Sequence, residues 1–197
     1  MDDVYRSNGE FLKLIKGNEE FRSKNREFKE LAQSQKPEFV VISCSDSRVS
    51  PSIILNAPLG SIFEIRVAGE VLDDYTIGSV EFAIDKLGTR KVLVMGHTGC
   101  GAVTAAYEAL NNSNQIDVKS PLSSLVKNIC RIVSEIKDTD LSLDKCIREN
   151  TMSQASRLFD SEVVKKLFES GQLNIAGALY HIDSGEVELF PLTFQSQ

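Results

Sequence analysis

The sequence predicts an α/β fold: a central, mostly parallel sheet of strand order 2-1-3-4 with an antiparallel edge strand, flanked by helices. Three observations carry this expectation. Phe39-Val40-Val41-Ile42 and Lys91-Val92-Leu93-Val94-Met95 are short, β-rich runs that are apolar on both faces, the pattern of strands inside a covered parallel sheet. Between them, Ser61–Val67 alternates polar and apolar residues, as a strand nearer the edge does. Before the second apolar run, Ile77, Val80, Ile84 and Leu87 recur at helical spacing, with Asp73 or Asp74 placed to cap the start and Gly88 to end it. Strand, helix and strand in that order make a βαβ unit, and right-handed crossovers allow the first and third strands to lie side by side.

The remaining elements follow in order. Upstream of the sheet, Phe11, Leu12, Ile15, Phe21 and Phe28 recur on a charged background between Ser7 and Leu31, so one or two amphipathic helices that need an external surface are expected there. Downstream, helices are expected after Gly101, over 122–136 and through 144–169. Final strands are expected at Leu173–Tyr180 and Val187–Phe190, joined by the turn Asp183-Ser184-Gly185. Residues 111–120 read as a surface loop. With 197 residues, 42% of them apolar, the chain is of a size for one domain spanning 1–197, residues 1–35 forming a helical arm within it.

A net charge of -6 leaves no cationic face for phosphate backbones, which argues against nucleic acid and anionic membranes as partners and for a small-molecule substrate. Residues 1–21 carry no apolar signal core, and no stretch approaches the roughly 20 apolar residues of a membrane span; a cytoplasmic protein is expected. Four cysteines are few for a disulfide scaffold. Cys130 and Cys146 have no ligand-type residue at metal-binding spacing and read as buried or half-buried thiols.

The chemistry lies in two short motifs. Cys44-Ser45-Asp46-Ser47-Arg48 follows the first apolar strand and His97-Thr98-Gly99-Cys100-Gly101 follows the third. Both therefore stand at strand carboxyl ends, where open α/β sheets bind ligands, and adjacent strands bring them to one crevice. Two thiols and an imidazole suit zinc, and three protein ligands leave a fourth tetrahedral position open, the layout of a catalytic site. Cys100 precedes an expected helix, whose N-terminal amides favour a thiolate. Asp46 and Arg48 can pair across one residue, so Arg48 would hold the carboxylate ionised and oriented. Opposite charges about 4 Å apart at an effective dielectric near 20 attract by about 4 kcal/mol, enough for Arg48 and a zinc ion to compete for Asp46.

With CSDSR at 44–48, RVAGEVLDDYTIGSVEFAIDKLG at 66–88 and GHTGCGAV at 96–103, the chain resembles the β-class carbonic anhydrases over essentially its whole length. The resemblance implies one zinc ion per chain on Cys44, His97 and Cys100, and reversible hydration of carbon dioxide to bicarbonate. In it Asp46, paired with Arg48, accepts a hydrogen bond from the attacking hydroxide, and ligates zinc only in a closed form. It further implies that the Gln35 amide donates to a substrate oxygen and that Phe63, Ala68, Phe82 and Gly101 line the substrate pocket. The assembly it implies is a homodimer, or a tetramer of paired dimers, in which the N-terminal helices pack on the partner. Relatives often carry Asn where this chain has Glu70. Members regulated by bicarbonate have tryptophan, glycine and tyrosine where this chain has Val41, Ser43 and Tyr180, so no separate bicarbonate site is expected.

Three rival readings share these residues. A related hydrolase acting on carbonyl sulfide or carbon disulfide would use the same metal. A cysteine hydrolase would use Cys44 as nucleophile with His97 as base and Asp46 beside it. In a non-catalytic zinc protein Asp46 would close the fourth position.

Overall fold

The computed structural model describes residues 11–24, 28–111, 120–136 and 141–190. The chain divides into two compact units, Met1–Gln35 and Lys36–Gln197. In the first, the expected amphipathic stretch forms α1 (Leu12–Lys24) and α2 (Phe28–Leu31); its residues 7–10 and 25–27 lie outside the described residues. Neither helix buries a side chain, and Phe11, Leu14 and Ile15 are exposed. The rings of Phe21 and Phe28 sit 5.8 Å apart.

The second unit runs β1 (Phe39–Ser43), α3 (Pro51–Ile54), β2 (Ile62–Arg66), a 3-10 turn (Ala68–Glu70), α4 (Asp74–Lys86), β3 (Lys91–His97), α5 (Gly101–Asn111), α6 (Pro121–Glu135), α7 (Leu143–Ser156), a second 3-10 turn (Arg157–Asp160), α8 (Glu162–Glu169), β4 (Asn174–Tyr180) and β5 (Val187–Phe190). The sheet order is β2-β1-β3-β4-β5. All neighbours are parallel except β4 and β5, as the sequence predicts.

Local chemistry explains these boundaries. β1 is buried at every position after Phe39, whereas β2, at the sheet edge, is mostly half-buried, which is why one reads as an unbroken apolar run and the other alternates. Asp73 caps α4, its Oδ1 accepting from the Thr76 backbone N–H at 2.8 Å. Gly88 follows in the left-handed region, where a glycine bears no Cβ penalty.

Two readings need correction. The helical stretch expected through 144–169 is broken: α7 ends at Ser156, a 3-10 turn follows, and α8 starts afresh because Ser161 turns extended and its Oγ accepts from the Val164 N–H at 3.2 Å. The short helix α3 was not anticipated, although Ser50 followed by Pro51 is a helix-start signal. The loop expected at 111–120 falls largely on 112–119, outside the described residues.

Burial holds the site from two sides. On one face of the sheet Val40, Ile42, Val92 and Val94 pack against Ile77, Val80, Ala83 and Ile84 of α4. Beyond the strand ends, Val103, Ala106, Val126, Ile129 and Ile147, contributed by α5, α6 and α7, enclose Cys44 and Cys100. Gly96 lets α7 come this close, since a Cβ there would lie 2.0 Å from Thr151 Oγ1. Among the described residues no helix is long and apolar enough to cross a membrane.

Candidate metal centre

Because β1 ends at Ser43 and β3 at His97, and the two strands are hydrogen-bonded neighbours, Cys44 and His97 emerge side by side at their carboxyl ends. The turn after β3 then returns Cys100 to the start of α5. The ligand atoms of Cys44, His97 and Cys100 all lie within 4.8 Å of one another and all three residues are buried.

These residues fit a zinc ion. Two sulfurs each about 2.3 Å from zinc at a tetrahedral angle stand roughly 3.8 Å apart, and the Cys44 and Cys100 sulfurs are 3.9 Å apart as free thiols. His97 Nδ1–H donates to the Thr98 carbonyl at 3.0 Å, which leaves the lone pair on Nε2, as a metal-bound histidine requires. That Nε2 is buried and has no hydrogen-bond partner, a costly state for a polar atom unless a ligand completes it.

The charges favour the same reading. Cys44 is held well below the ordinary thiol range, first by the hydrogen bond from Cys100 and then, against burial, by the Gly69 N–H, 3.3 Å from its sulfur. Cys100 moves the other way, because it donates to the Cys44 thiolate and is itself buried. The Val103 backbone N–H at the start of α5 acts on Cys100 in the opposite sense, toward the thiolate. A divalent cation would ionise both thiols.

Asp46 and Arg48 form the expected pair. Arg48 Nε and Nη2 donate to Asp46 Oδ1 and Oδ2 at 3.0 and 2.8 Å, and the Arg48 backbone N–H donates to Oδ1 at 2.9 Å. These bonds hold the Asp46 carboxyl well below the usual carboxylate range. Asp46 Oδ2 lies 4.0 Å from His97 Nε2, on the rim of the cluster. Sequence reasoning missed Arg66, which braces this loop by donating to the Cys44 carbonyl at 3.2 Å and the Asp46 carbonyl at 2.7 Å. Its partners lie 22 and 20 positions away in sequence, beyond the reach of any local motif.

The other named residues are distributed. Phe63 and Phe82 face each other with ring centroids 6.4 Å apart; Phe63 packs on the core under the sheet and Phe82 is exposed. Ala68 is half-buried in the 3-10 turn and Gly101 opens α5, exposed. Gln35 belongs to the N-terminal unit. Cys146 is buried and Cys130 half-buried, as the sequence predicts, and burial raises both thiols.

A second group was illegible in the sequence. Glu70 is fully enclosed, and its Oε1 accepts from Asn150 Nδ2 at 3.0 Å and Thr151 Oγ1 at 3.1 Å. Burial, followed by the charge of Cys44, pushes its carboxyl up to about 7. Gln154 extends the network to the Leu72 N–H at 2.9 Å and to Asn128 at 3.0 Å.

Residues 39–187 match the family model described as carbonic anhydrase. Carbonic anhydrase 2 of Mycobacterium tuberculosis is 32% identical over 161 residues, covering 81% of this chain and 77% of the relative. Carbonic anhydrase 1 of Escherichia coli O157:H7 is 30% identical over 191 residues, covering 91% and 84%. Among solved structures, the β-carbonic anhydrase CcaA superposes with a TM-score of 0.79 at 28% identity over 93% of this chain and 96% of that one. A Coccomyxa β-carbonic anhydrase in complex with acetazolamide gives 0.78 at 26%, over 92% and 85%. With a matching family model, relatives of this identity and the Cys-His-Cys cluster at the strand ends, this chain belongs to the β-carbonic anhydrase family.

Proposed function

We propose that the chain catalyses CO₂ + H₂O ⇌ HCO₃⁻ + H⁺ at one zinc ion held by Cys44, His97 and Cys100, with Asp46 and Arg48 orienting the nucleophile. The observation that carries this is the convergence of three buried ligand atoms within 4.8 Å beside a carboxylate whose two oxygens are both engaged by Arg48. Zinc, when bound, acidifies water so that a hydroxide nucleophile is available near neutral pH; two thiolates temper that effect, so the working pKa is expected above the roughly 7 of a three-histidine site.

The residues do the rest. Ionised Asp46 can only accept hydrogen bonds, so it takes the O–H of the nucleophile and turns the oxygen lone pair toward the substrate carbon. Arg48 keeps it ionised and in place. The proton released in each cycle leaves to buffer: of the chain's two histidines, His97 is a ligand and His181 is bonded to Glu188 at 3.2 Å. The donor role of Gln35 and the pocket roles of Phe63, Ala68, Phe82 and Gly101 belong to this proposal on the resemblance. The non-catalytic reading needs Asp46 on the metal, and its bidentate pairing with Arg48 favours the open site instead.

The assembly belongs here too. A homodimer, or dimers paired into a tetramer, is supported by the unburied apolar residues of α1 and by a Sordaria macrospora relative described as tetrameric. Within it residues 1–35 act as the arm of a single domain. The four free cysteines support a reducing, cytoplasmic location. A stopped-flow carbon dioxide hydration assay on zinc-replete protein tests the proposal, and no rate above the uncatalysed background would refute it.

A further inference from the structure

The segment between β2 and α4 carries strain that needs a reason. Gly69 and Glu70 are both in the left-handed region, at φ 65° and 42°. For glycine this is free, but for glutamate it costs of order 1–2 kcal/mol. The turn is also tightly packed, since a Cβ at Gly69 would meet Ile129 Cδ1 at 2.7 Å and Ala102 Cβ at 3.1 Å. The outcome of this double left-handed turn is that the Gly69 N–H points at Cys44 Sγ, 3.3 Å away.

What holds the turn is α7. Asn150 Nδ2 donates both to the Gly69 carbonyl at 2.9 Å and to Glu70 Oε1 at 3.0 Å. Thr151 Oγ1 lies 3.1 Å from the same carboxyl oxygen. The other oxygen, Oε2, is buried without a partner, so every bond the Glu70 side chain makes runs to α7. A buried carboxyl kept in a strained backbone, with one oxygen doubly bonded and the other unused, is a costly way to fill space. It is a direct way to fix one peptide group.

We propose that Glu70 is a positioning residue for the first cysteine of the metal centre: anchored to Asn150 and Thr151, it locks the turn that aims the Gly69 N–H at Cys44 Sγ and so fixes the direction of that thiolate toward zinc. This rests on the reading that Cys44 ligates zinc. Outer groups of this kind act on metal retention, typically by 10- to 100-fold when removed.

The test uses the zinc-loaded full chain. Zinc release to a metallochromic chelator is timed, and the thiolate-to-metal charge-transfer band is recorded on the cobalt-substituted protein. Glu70→Ala is expected to release zinc at least about 10-fold faster and to move the band to longer wavelength, because a thiolate without its N–H donor holds its electrons less tightly. Glu70→Gln retains a carbonyl acceptor for Asn150 and Thr151 and is expected to remain within about threefold of the parent with an unshifted band. Asn128→Ala, which breaks the far end of the network at Gln154, is expected to lower the melting temperature without changing either readout. If Glu70→Ala does not fold, Thr151→Val removes one of the two donors and is expected to accelerate release in the same direction. A folded Glu70→Ala or Thr151→Val protein with parental release and an unshifted band overturns the role, as does Asn128→Ala releasing zinc as fast as the Glu70 variant. A parent chain that holds no zinc overturns both this and the metal-site reading.

Discussion

In the proposed mechanism Asp46 is the residue that makes the metal centre a catalyst. Asp46→Asn keeps the shape but replaces an acceptor by an amide and removes the charge that Arg48 holds. The expected outcome is parental zinc content by elemental analysis with turnover lower by about 100-fold or more. Near-parental turnover would remove the dyad from the mechanism. Glu70 makes a separate pH-dependent contribution. Its folded carboxyl titrates at about 7, above the ordinary 4.5, so the fold favours the neutral acid. That stabilisation is complete below about 4.5 and is lost as pH rises through about 7. In the metal-free protein, where no cation opposes the shift, the difference in stability between parent and Glu70→Gln is expected to change by up to about 3 kcal/mol between pH 4.5 and pH 8. Denaturant melts at the two pH values measure it, and parallel behaviour of the two proteins would contradict it. The residues of the metal site were legible because their signal is local: Cys44-x-Asp-x-Arg and His-x-x-Cys each lie within one turn. Glu70 was not, since its partners Asn150 and Thr151 stand 80 and 81 positions away, and amides inside an amphipathic helix read as a solvated face.

The same contrast appears among the elements. β1 and β3 were readable because strands covered on both faces leave an unbroken apolar run, and the crossover rule then makes them neighbours. The break between α7 and α8 was hidden because the apolar pattern continues across it, and only Ser161 marks the restart. The packing of α7 on β3 depends on Gly96. Gly96→Ala would drive a methyl into the Thr151 hydroxyl, and the expected cost is about 1–3 kcal/mol or more, read as a lower melting temperature with release of the Thr151 to Glu70 bond. A parental melting temperature would mean that α7 can withdraw freely. Along β1, Val41 packs with Met95 and Ala178 on the face away from Val40 and Ile42, and Ser43, fully buried, belongs to that same face by alternation. On the resemblance, which puts tryptophan and glycine at the positions of Val41 and Ser43 in bicarbonate-regulated members, bicarbonate is expected to have no differential hold on a closed state here. Inhibition of hydration by bicarbonate is expected to be hyperbolic; a steep sigmoidal dependence would contradict this.

At the scale of the whole molecule, the N-terminal helices carry exposed apolar residues, and on the proposed assembly sedimentation is expected to give a dimer or a multiple of it. An active monomer would contradict that assembly. With no free histidine near the metal residues, turnover is expected to rise with buffer concentration until proton removal ceases to limit it. The central claim is that hydration depends on zinc at Cys44, His97 and Cys100. It is tested most directly by stripping the metal, restoring zinc in steps and measuring the carbon dioxide hydration rate at each measured zinc content. The rate is expected to rise in proportion to zinc and to level off at one ion per chain; a rate that does not depend on zinc content would contradict the claim.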